Sequence, residues 1–371
     1  MSQTEPISCK IDLIAGTRPN VIKIAPLYKA LVQQSWCAPR IIYLGQHSAP
    51  NMSADLFGLF GIEDEAVRQL PLAGTTFGGR LGQIIDAYSA LVAEDRPDMV
   101  VVPGDVDVSL GVALAARRAG IRLVHLEAGL RSYDNAMPEE SNRVLIDSIS
   151  DLLLAPSEAS AQNLIYREGR SHREVHFVGN IMIDSLVQVL DEEVVRDVLR
   201  RFDLTDGQFG ILTLHRPSNV DDPATLETLL AVIADLAEER TILFPVHPRT
   251  RKALGDSLGA LPANLVCCDP VDYVSFINLI SRAAFFITDS GGVQEETSYL
   301  GVPCFTFREN TERPITVYEG TNQLVNLTTA GPIIRQSLSQ PRPAPARLPL
   351  WDGMTAWRVS QILQRWWSGA A

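Results

Sequence analysis

The chain has 371 residues, of which 46% are hydrophobic, and a formal net charge of -12 at pH 7. This length and apolar content favour two domains, each with a sizeable core. The acidic balance disfavours a broad nucleic-acid-binding surface but permits a small basic pocket, so we expect a small ligand and no nucleic acid.

The five cysteines form no C-x-x-C pair and no cluster with histidine, so we predict neither a disulfide framework nor a metal site. No apolar run approaches the roughly 20 residues that span a bilayer, and the first residues lack the basic and apolar regions of a signal peptide. We therefore expect a cytoplasmic protein without a membrane partner.

Short β-rich runs alternate with stretches of helical length. The first series predicts strands at 11–15, 41–44, 99–102, 123–126, 152–155 and 175–178. After a charged helix at about 191–201, a second series predicts strands at 211–214, 243–246, 265–268, 284–287 and 304–307. This alternation predicts the α/β class with two doubly wound, mostly parallel sheets. We expect a ligand between the two domains, outside the carboxyl ends of the strands.

The end of the chain has a different composition. Residues 340–345 are proline-rich and predict a connector without regular structure. A last helix is predicted at about 355–367, with an apolar face that packs on a domain.

An apolar strand of the second series runs into Ser290-Gly291-Gly292 and then into a helical pattern. Two glycines let the backbone approach a ligand, and the unpaired amides of a helix N-terminus attract anions, so this turn predicts a phosphate site. Glu296 follows one helical turn later, where a carboxylate suits a ligand that carries hydroxyl groups. Phosphate beside a diol indicates a nucleotide.

Polar residues follow the predicted strands of the first series. Pro19 favours an extended conformation at Arg18, which is either a surface arginine in a turn or a ligand contact at a strand tip. Asp105 and Glu127 each follow a strand, and Glu139 lies in the first turn of a predicted helix. Each acid alone is compatible with a cap or a surface ion pair, but together they indicate acid–base chemistry.

Basic residues follow the strands of the second series. His215 is a candidate for a phosphate contact or a proton donor, and for His247 the structural and functional interpretations both stay open. Arg308 and Arg313 are expected near the same edge, where one of them meets phosphate. The chain has no Walker loop and no G-x-G-x-x-G after its first strand, so ATP hydrolysis and NAD binding are disfavoured and no cofactor is predicted.

Together these segments resemble the bacterial UDP-N-acetylglucosamine 2-epimerases of the non-hydrolysing type over nearly the whole chain. The resemblance is carried by Gly16-Thr17-Arg18-Pro19, Gly45-Gln46-His47, Gly104-Asp105, residues 125–131, 138–143 and 178–180, His215-Arg216, residues 288–296 and 312–314. It implies a fold of the glycosyltransferase-B type, with two Rossmann-like domains around an interdomain cleft, and a homodimer. The domains would comprise residues 1–182 with the helix 355–371 crossing back, and a UDP-binding domain at 183–354.

The resemblance implies inversion of C2 of UDP-N-acetylglucosamine to UDP-N-acetylmannosamine. UDP is eliminated in anti fashion to leave a 2-acetamidoglucal and is then added back, a reaction that supplies surface polysaccharide biosynthesis. The catalytic residues implied by motif are Asp105, Glu127, Glu139 and His215. The implied ligands of the UDP-sugar are Arg18, Arg143, His215, Ser290, Gly291, Gly292, Glu296 and Arg313. Which acid serves which face of the sugar stays open.

Departures from the family pattern include two that bear on the site. Asp107 stands where relatives commonly have Asn or Thr, and this added negative charge is expected to alter the pKa pattern or the substrate. Gln46, His47 and His247 are candidates for a regulatory site for a second UDP-N-acetylglucosamine, but Ser48-Ala49-Pro50 replaces the polar residues expected there.

Four alternatives remain open on sequence grounds. The same fold accommodates a hydrolysing epimerase that releases N-acetylmannosamine, an epimerase of a modified UDP-sugar such as a diacetamido uronic acid, or a UDP-sugar glycosyltransferase. The fourth, a catalytically silent nucleotide-sugar sensor, is disfavoured by the intact set of acids.

Overall fold

The computed structural model describes residues 8–45, 57–74 and 76–369. The chain divides into two compact units, Met1–Ser185 with Pro349–Ala371, and Leu186–Leu348. Each unit is built on one sheet in which every strand pairing is parallel.

Within the described residues, the first unit contains a seven-stranded sheet of order β3-β2-β1-β4-β5-β6-β7. Its strands are β1 (Cys9–Ala15), β2 (Cys37–Tyr43), β3 (Val67–Gln69), β4 (Met99–Pro103), β5 (Arg122–Leu126), β6 (Leu152–Ala155) and β7 (Val175–Phe177). The order reverses beside β1, which is the point where doubly wound sheets leave a crevice at their carboxyl ends. The central strands are almost entirely buried because helices cover both faces of the sheet.

The helices of this half of the chain include α1 (Arg18–Val32), α2 (Phe77–Glu94), α3 (Asp107–Arg118), α4 (Pro138–Ile149), α5 (Glu158–Gln162) and α6 (Ile181–Val189). Proline lies in the first turn of α1 and of α4, where its missing N–H has no intrahelical partner to lose. Helix α1 begins shortly after the carboxyl end of β1, and α4 begins after the longer loop that follows β5.

The second unit contains, among the described residues, a six-stranded sheet of order β10-β9-β8-β11-β12-β13. Its strands are β8 (Gly210–Thr213), β9 (Ile242–Pro245), β10 (Leu265–Cys268), β11 (Phe285–Thr288), β12 (Cys304–Phe307) and β13 (Asn322–Val325). Its helices are α7 (Glu192–Arg201), α8 (Pro217–Val220), α9 (Pro223–Ala237), α10 (Pro248–Leu254), α11 (Tyr273–Arg282), α12 (Gly292–Leu300), α13 (Pro314–Tyr318) and α14 (Ala330–Leu338). The order again reverses at the centre, beside β8.

The last helix, α15 (Thr355–Ser368), follows a stretch without helix or strand at residues 341–348. The carboxylate of Asp184 accepts hydrogen bonds from the amides of Thr355 (3.1 Å) and Ala356 (2.7 Å), which caps this helix on the first unit. Within the described residues, none of the helices combines the length and the apolar character needed to cross a membrane.

The predicted α/β class with two parallel sheets is confirmed, and each predicted strand is present. The strands at 152–155, 265–268 and 304–307 have the predicted bounds, and the others have shifted ends. The largest shift is in β2, which begins at Cys37 rather than residue 41. Two strands were missed, β3 and β13. Both are edge strands of three and four residues that pair through their backbones, and neither has an apolar run long enough to be recognised.

Candidate active site

The turn after β4 carries the first predicted acid. Gly104 has a φ of 62°, a left-handed conformation that favours glycine, and it directs the chain towards α3. Asp105 is half-buried and forms an ion pair with Arg143 of α4. Arg143, only 3% exposed, also pairs with Glu140, so one guanidinium bridges two carboxylates.

Glu127 follows β5 in an unusual conformation. Its φ of 75° places a residue with a side chain in the left-handed region, at a cost of about 1–3 kcal/mol. Its carboxylate forms a buried ion pair with Lys23 of α1, and the two residues are 7% and 8% exposed. A Cβ built on Gly104 would lie 3.4 Å from Glu127 Oε2, so the structure brings the Asp105 turn and Glu127 together.

Lys23 was missed by the sequence analysis. The signal was a single cation within the apolar run Val21-Ile22-Lys23-Ile24-Ala25, all of which is buried. A buried lysine needs a partner, and here the partner is a predicted catalytic acid.

The start of α4 contains two adjacent glutamates with different surroundings. Glu139, the predicted one, is exposed. Glu140 is buried and accepts hydrogen bonds from Ser132 N and Oγ (both 2.9 Å) and from Tyr133 N (3.0 Å). Burial alone would raise the pKa of Glu140, but these bonds and Arg143 hold it below its ordinary value. Glu140 therefore fixes Arg143 and the preceding loop, and Glu139 stays accessible.

A buried network that the sequence analysis did not predict lies beneath these acids. His125 on β5 is fully buried, with Nδ1 2.6 Å from Asp147 Oδ1 and Nε2 2.9 Å from the carbonyl oxygen of Gly104. Asp147 also accepts hydrogen bonds from Gly129 N (3.1 Å) and from Arg131 (2.6 Å). Burial opposes ionisation of Asp147, but His125 and Arg131 outweigh it and lower its pKa. The network joins the turn after β4, the loop after β5 and α4.

The prediction that Arg18 has an extended backbone was wrong. Thr17 is the extended residue (φ -140°, ψ 163°), and Arg18 is the first residue of α1. The restriction imposed by Pro19 did not exclude a helical Arg18, because helix entry places the extended residue one position earlier. The Arg18 side chain is exposed at the carboxyl end of β1.

Asp107, the departure from the family pattern, is the first residue of α3. Asn142 Nδ2 donates to Asp107 Oδ1 (3.1 Å) and to the carbonyl oxygen of Asp105 (2.9 Å). The added negative charge therefore lies beside the proposed acids. Gln46 and His47 lie outside the described residues.

In the second unit, Asp289 organises the loop after β8. This fully buried carboxylate accepts hydrogen bonds from the amides of His215 (3.0 Å) and Arg216 (2.9 Å) and from Asn219 Nδ2 (3.2 Å). It also lies 2.9 Å from His215 Nδ1. Burial opposes its ionisation, yet His215 and these donors lower the pKa of Asp289.

His215 is therefore held in one orientation. Because Nδ1 donates to a carboxylate, Nε2 is the nitrogen that remains for a ligand or a proton transfer. The His247 ring lies 5.5 Å from the His215 ring, centroid to centroid. His247 also has a structural role, since its Nδ1 accepts from Arg249 N (3.2 Å) at the start of α10.

The predicted glycine turn joins β11 to α12. The amide of Ser290 donates to Thr288 Oγ1 (2.9 Å), and the carbonyl oxygen of Ser290 accepts from Gln294 (3.0 Å). A Cβ on Gly291 would lie 2.5 Å from Glu312 Oε1 and 2.7 Å from Arg313, whereas one on Gly292 would meet nothing within 4 Å. The close approach thus requires glycine at only the first of the two positions.

Arg313 and Arg308 form part of a network of charges behind this turn. Arg313 pairs with Glu295 (2.9 Å) and with Glu312, and Arg308 pairs with Glu312 (2.7 Å). Glu296, 4% exposed, differs from its neighbours: burial and the adjacent Glu295 raise its pKa to about 8, although Arg313 opposes this. The site therefore contains one carboxyl group that is mostly protonated at neutral pH in the absence of ligand.

Across the part of the chain that the structure describes, no group of three or more His, Cys, Asp and Glu side chains is arranged to hold a metal ion. The arrangement offers acids with cationic partners in the first unit, and a glycine turn, an oriented imidazole and a protonated glutamate in the second.

Comparison with known proteins extends these observations. The family model for UDP-N-acetylglucosamine 2-epimerase matches residues 29–364. A UDP-N-acetylglucosamine 2-epimerase of Methanococcus maripaludis is 38% identical over 327 residues, which cover 85% of this chain and 87% of that protein. A UDP-2,3-diacetamido-2,3-dideoxy-D-glucuronate 2-epimerase of Pseudomonas aeruginosa is 36% identical over 319 residues, covering 85% and 88%. The crystal structure of the Methanocaldococcus jannaschii UDP-GlcNAc 2-epimerase with UDP-GlcNAc and UDP has a TM-score of 0.87 at 36% identity, covering 96% of this chain and 99% of that one.

The two parallel sheets with interleaved helices define an α/β protein with a fold of the glycosyltransferase-B type. Since the family model matches most of the chain, the protein belongs to the UDP-N-acetylglucosamine 2-epimerase family, as the sequence motifs predicted.

Proposed function

We propose that the protein inverts C2 of UDP-N-acetylglucosamine and thereby interconverts it with UDP-N-acetylmannosamine without net hydrolysis. In the first half of the cycle, a base removes the C2 proton, the C1–O bond to UDP breaks and a C1=C2 double bond forms. In the second half, UDP oxygen adds back to C1 and a proton is delivered to the opposite face of C2.

The observation that carries this proposal is the grouping of acids in the first unit. Asp105 and Glu127 follow adjacent strands, each in an ion pair with a buried cation, and Glu139 stands exposed at the start of α4. Proton removal from one face and delivery to the other require two proton-handling groups. A glycosyltransferase has no comparable need, so the grouping favours epimerisation.

The second unit supplies the binding of UDP in this proposal. The C2 hydrogen is not adjacent to a carbonyl group, so its removal depends on stabilisation of the departing diphosphate. Ser290 and Gly291 lead into α12, which begins at Gly292 and whose first backbone amides favour an anion. His215 Nε2 serves as a proton donor or a hydrogen-bond donor to the leaving group, Glu296 contacts the ribose, and Arg18, Arg143 and Arg313 are further proposed ligands.

The test is incubation with UDP-N-acetylglucosamine in heavy water, followed by NMR. We expect UDP-N-acetylmannosamine with deuterium at C2, and also deuterium in the recovered substrate. Free N-acetylmannosamine together with UDP would identify a hydrolysing enzyme instead. Absence of deuterium at C2 in every sugar would contradict the proposal for this substrate.

A second candidate substrate is a UDP-diacetamido uronic acid. It is supported by the Pseudomonas aeruginosa relative, whose identity of 36% is close to the 38% of the N-acetylglucosamine enzyme. The same exchange experiment with that sugar separates the two, because C2 chemistry is shared and only the substituents at C3 and C6 differ. Faster exchange with the uronic acid would assign the protein to the second substrate.

We further propose a cytoplasmic homodimer that supplies surface polysaccharide biosynthesis, with domains at 1–182 plus 355–371 and at 183–354. Sedimentation analysis tests the dimer.

Regulation by a second UDP-N-acetylglucosamine through Gln46, His47 and His247 stays a proposal. It predicts that the reaction rate depends sigmoidally on substrate concentration and that H247Q removes this dependence.

A further inference from the structure

A groove lies at the opposite edge of the first sheet from the proposed acids. It has a volume of about 1220 Å³ and is lined at the amino ends of β5, β6 and β7, where Arg122, Asp151 and His176 lie. The proposed acids follow the carboxyl ends of β4 and β5. The epimerase chemistry therefore gives this groove no role.

The groove is cationic although the chain is acidic. Its charged lining consists of five arginines and two carboxylates, in a protein with a net charge of -12. Arg117 pairs with Asp151 (2.7 Å), and Arg170 pairs with Glu174 (3.2 Å). These pairs account for both carboxylates.

The remaining three arginines, Arg122, Arg173 and Arg365, have no carboxylate partner among residues 8–45, 57–74 and 76–369. All three are exposed. The cationic side chains of the groove include no lysine, and arginine is the residue whose planar donors match phosphate in a bidentate manner.

One wall of the groove is aromatic. The guanidinium of Arg122 lies over the ring of Trp366, 5.4 Å from its centroid, and over the ring of Trp367 at 4.8 Å. Trp366 and Ile362 of α15 form this wall. Stacking orients Arg122 and places a flat surface beside the cations, as in sites that bind a base together with its phosphates.

We propose that this groove is a binding site for a compact anion with two or more phosphate groups. Three unpaired arginines exceed what one phosphate needs, and the concave shape favours a small molecule over a flat partner. The acidity of the whole chain disfavours a long polyanion such as nucleic acid, whose repulsion extends beyond the groove. The anion is either an inorganic polyphosphate or a nucleotide whose base stacks on Trp366.

His176 provides a reporter inside the groove. Burial lowers its pKa, a hydrogen bond with the Arg173 backbone opposes this, and the charge of Arg365 lowers the pKa further. A bound anion introduces the opposite charge, so the pKa of His176 rises on binding. This readout does not depend on enzyme activity, so it can fail or succeed independently of the epimerase proposal.

The experiment is a calorimetric titration of the full chain at 150 mM salt with sodium triphosphate and, in a second arm, ATP. The variants are R173A/R365A, which removes two exposed arginines of the groove, and R118A/K252A, which removes two exposed cations that do not line it. NMR follows the titration of His176, with H176Q to assign its signal.

We expect binding by the wild type and by R118A/K252A, an affinity at least tenfold lower in R173A/R365A, and a raised pKa for His176. Tighter binding of ATP, lost in W366A, identifies a nucleotide site; equal binding of both probes identifies a polyphosphate site. Equal affinities of the two double variants, or binding without a change at His176, would overturn the proposal. Since neither arginine belongs to the proposed catalytic machinery, we expect unchanged C2 exchange in R173A/R365A.

Discussion

Two buried glutamates, one in each unit, have opposite electrostatic surroundings. Glu127 faces the ammonium group of Lys23 in an ion pair, within a strained backbone. Glu296 has a second carboxylate, Glu295, as its close neighbour, and its pKa is raised to about 8. We propose that the first handles a proton in the reaction, whereas burial beside Glu295 favours the protonated form of the second.

The largest effect on activity is expected for the substitution of Glu127. In E127Q the amide cannot take up a proton, so we expect C2 deuterium exchange to fall by about 10²–10⁴-fold. UDP affinity should be unchanged, because the proposed UDP ligands lie on other elements. Exchange is measured by NMR, and thermal unfolding checks that the loss of the Lys23 partner has not unfolded the protein.

The control for E127Q is E158Q, which removes a carboxylate from the exposed start of α5. It should leave exchange unaltered. Exchange in E127Q within threefold of the wild type would remove Glu127 from the proton-handling groups.

A second prediction concerns orientation in the second unit. Asp289 holds His215 through Nδ1 and through the backbone, so D289N should lower the turnover number by about 100-fold, the lower end of what a general acid or base contributes. In D289N/H215Q the loss should not exceed that of H215Q alone, because Asp289 acts through the imidazole. Steady-state kinetics of the four proteins measure this.

D221N is the matched control, since Asp221 is an aspartate of the same unit in an exposed ion pair with Arg249. Additive losses in the double variant would mean that Asp289 supports the loop rather than the histidine.

A third prediction separates the two glycines of the turn. G291A places a methyl group 2.5 Å from Glu312 Oε1 and 2.7 Å from Arg313, so these side chains or the turn must shift. We expect a loss of about 1–3 kcal/mol in stability, typical of overpacking, and about tenfold weaker UDP binding. G292A meets nothing within 4 Å and should change neither quantity by much. Equal behaviour of the two variants in calorimetry would show that the close approach is unimportant.

The sequence predicted those parts of the fold and site that depend on local pattern. Apolar runs ending in polar residues identified the carboxyl edge of both sheets, and with it Asp105, Glu127 and His215. The edge strands β3 and β13 were not predicted because backbone pairing with a neighbouring strand, rather than their own composition, makes them strands.

Contacts between residues that are far apart in the sequence could not be predicted from local sequence patterns. Lys23 and Glu127 are separated by 104 positions, and Asp289 and His215 by 74. In the sequence, His125 has the pattern of an ordinary strand residue. Only the fold brings Asp147 and the Gly104 carbonyl oxygen to its two ring nitrogens. The choice between Glu139 and Glu140 likewise depends on which one the loop at Ser132 buries.

A fourth prediction concerns the protonation of Glu296. Its pKa in the unliganded protein lies at about 8, above the ordinary 4.5, so the folded state binds the extra proton and the stability this confers is complete below pH 4.5. That stability declines as the pH rises from 4.5 to 8, and the decline should be absent in E296Q. Thermal unfolding as a function of pH measures the difference.

Binding of UDP provides the complementary measurement. If Glu296 accepts hydrogen bonds from ribose hydroxyl groups, the ligand favours the carboxylate and lowers its pKa, so binding at pH 7 releases close to one proton. Affinity should then rise by up to about tenfold per pH unit between pH 6 and 8 in the wild type, relative to E296Q. The comparison with E296Q removes the contribution of the ionising phosphates, and calorimetry in two buffers counts the protons. Absence of proton release would mean that Glu296 stays neutral and donates to the ligand, and the contrast with Glu127 would then extend to the bound state.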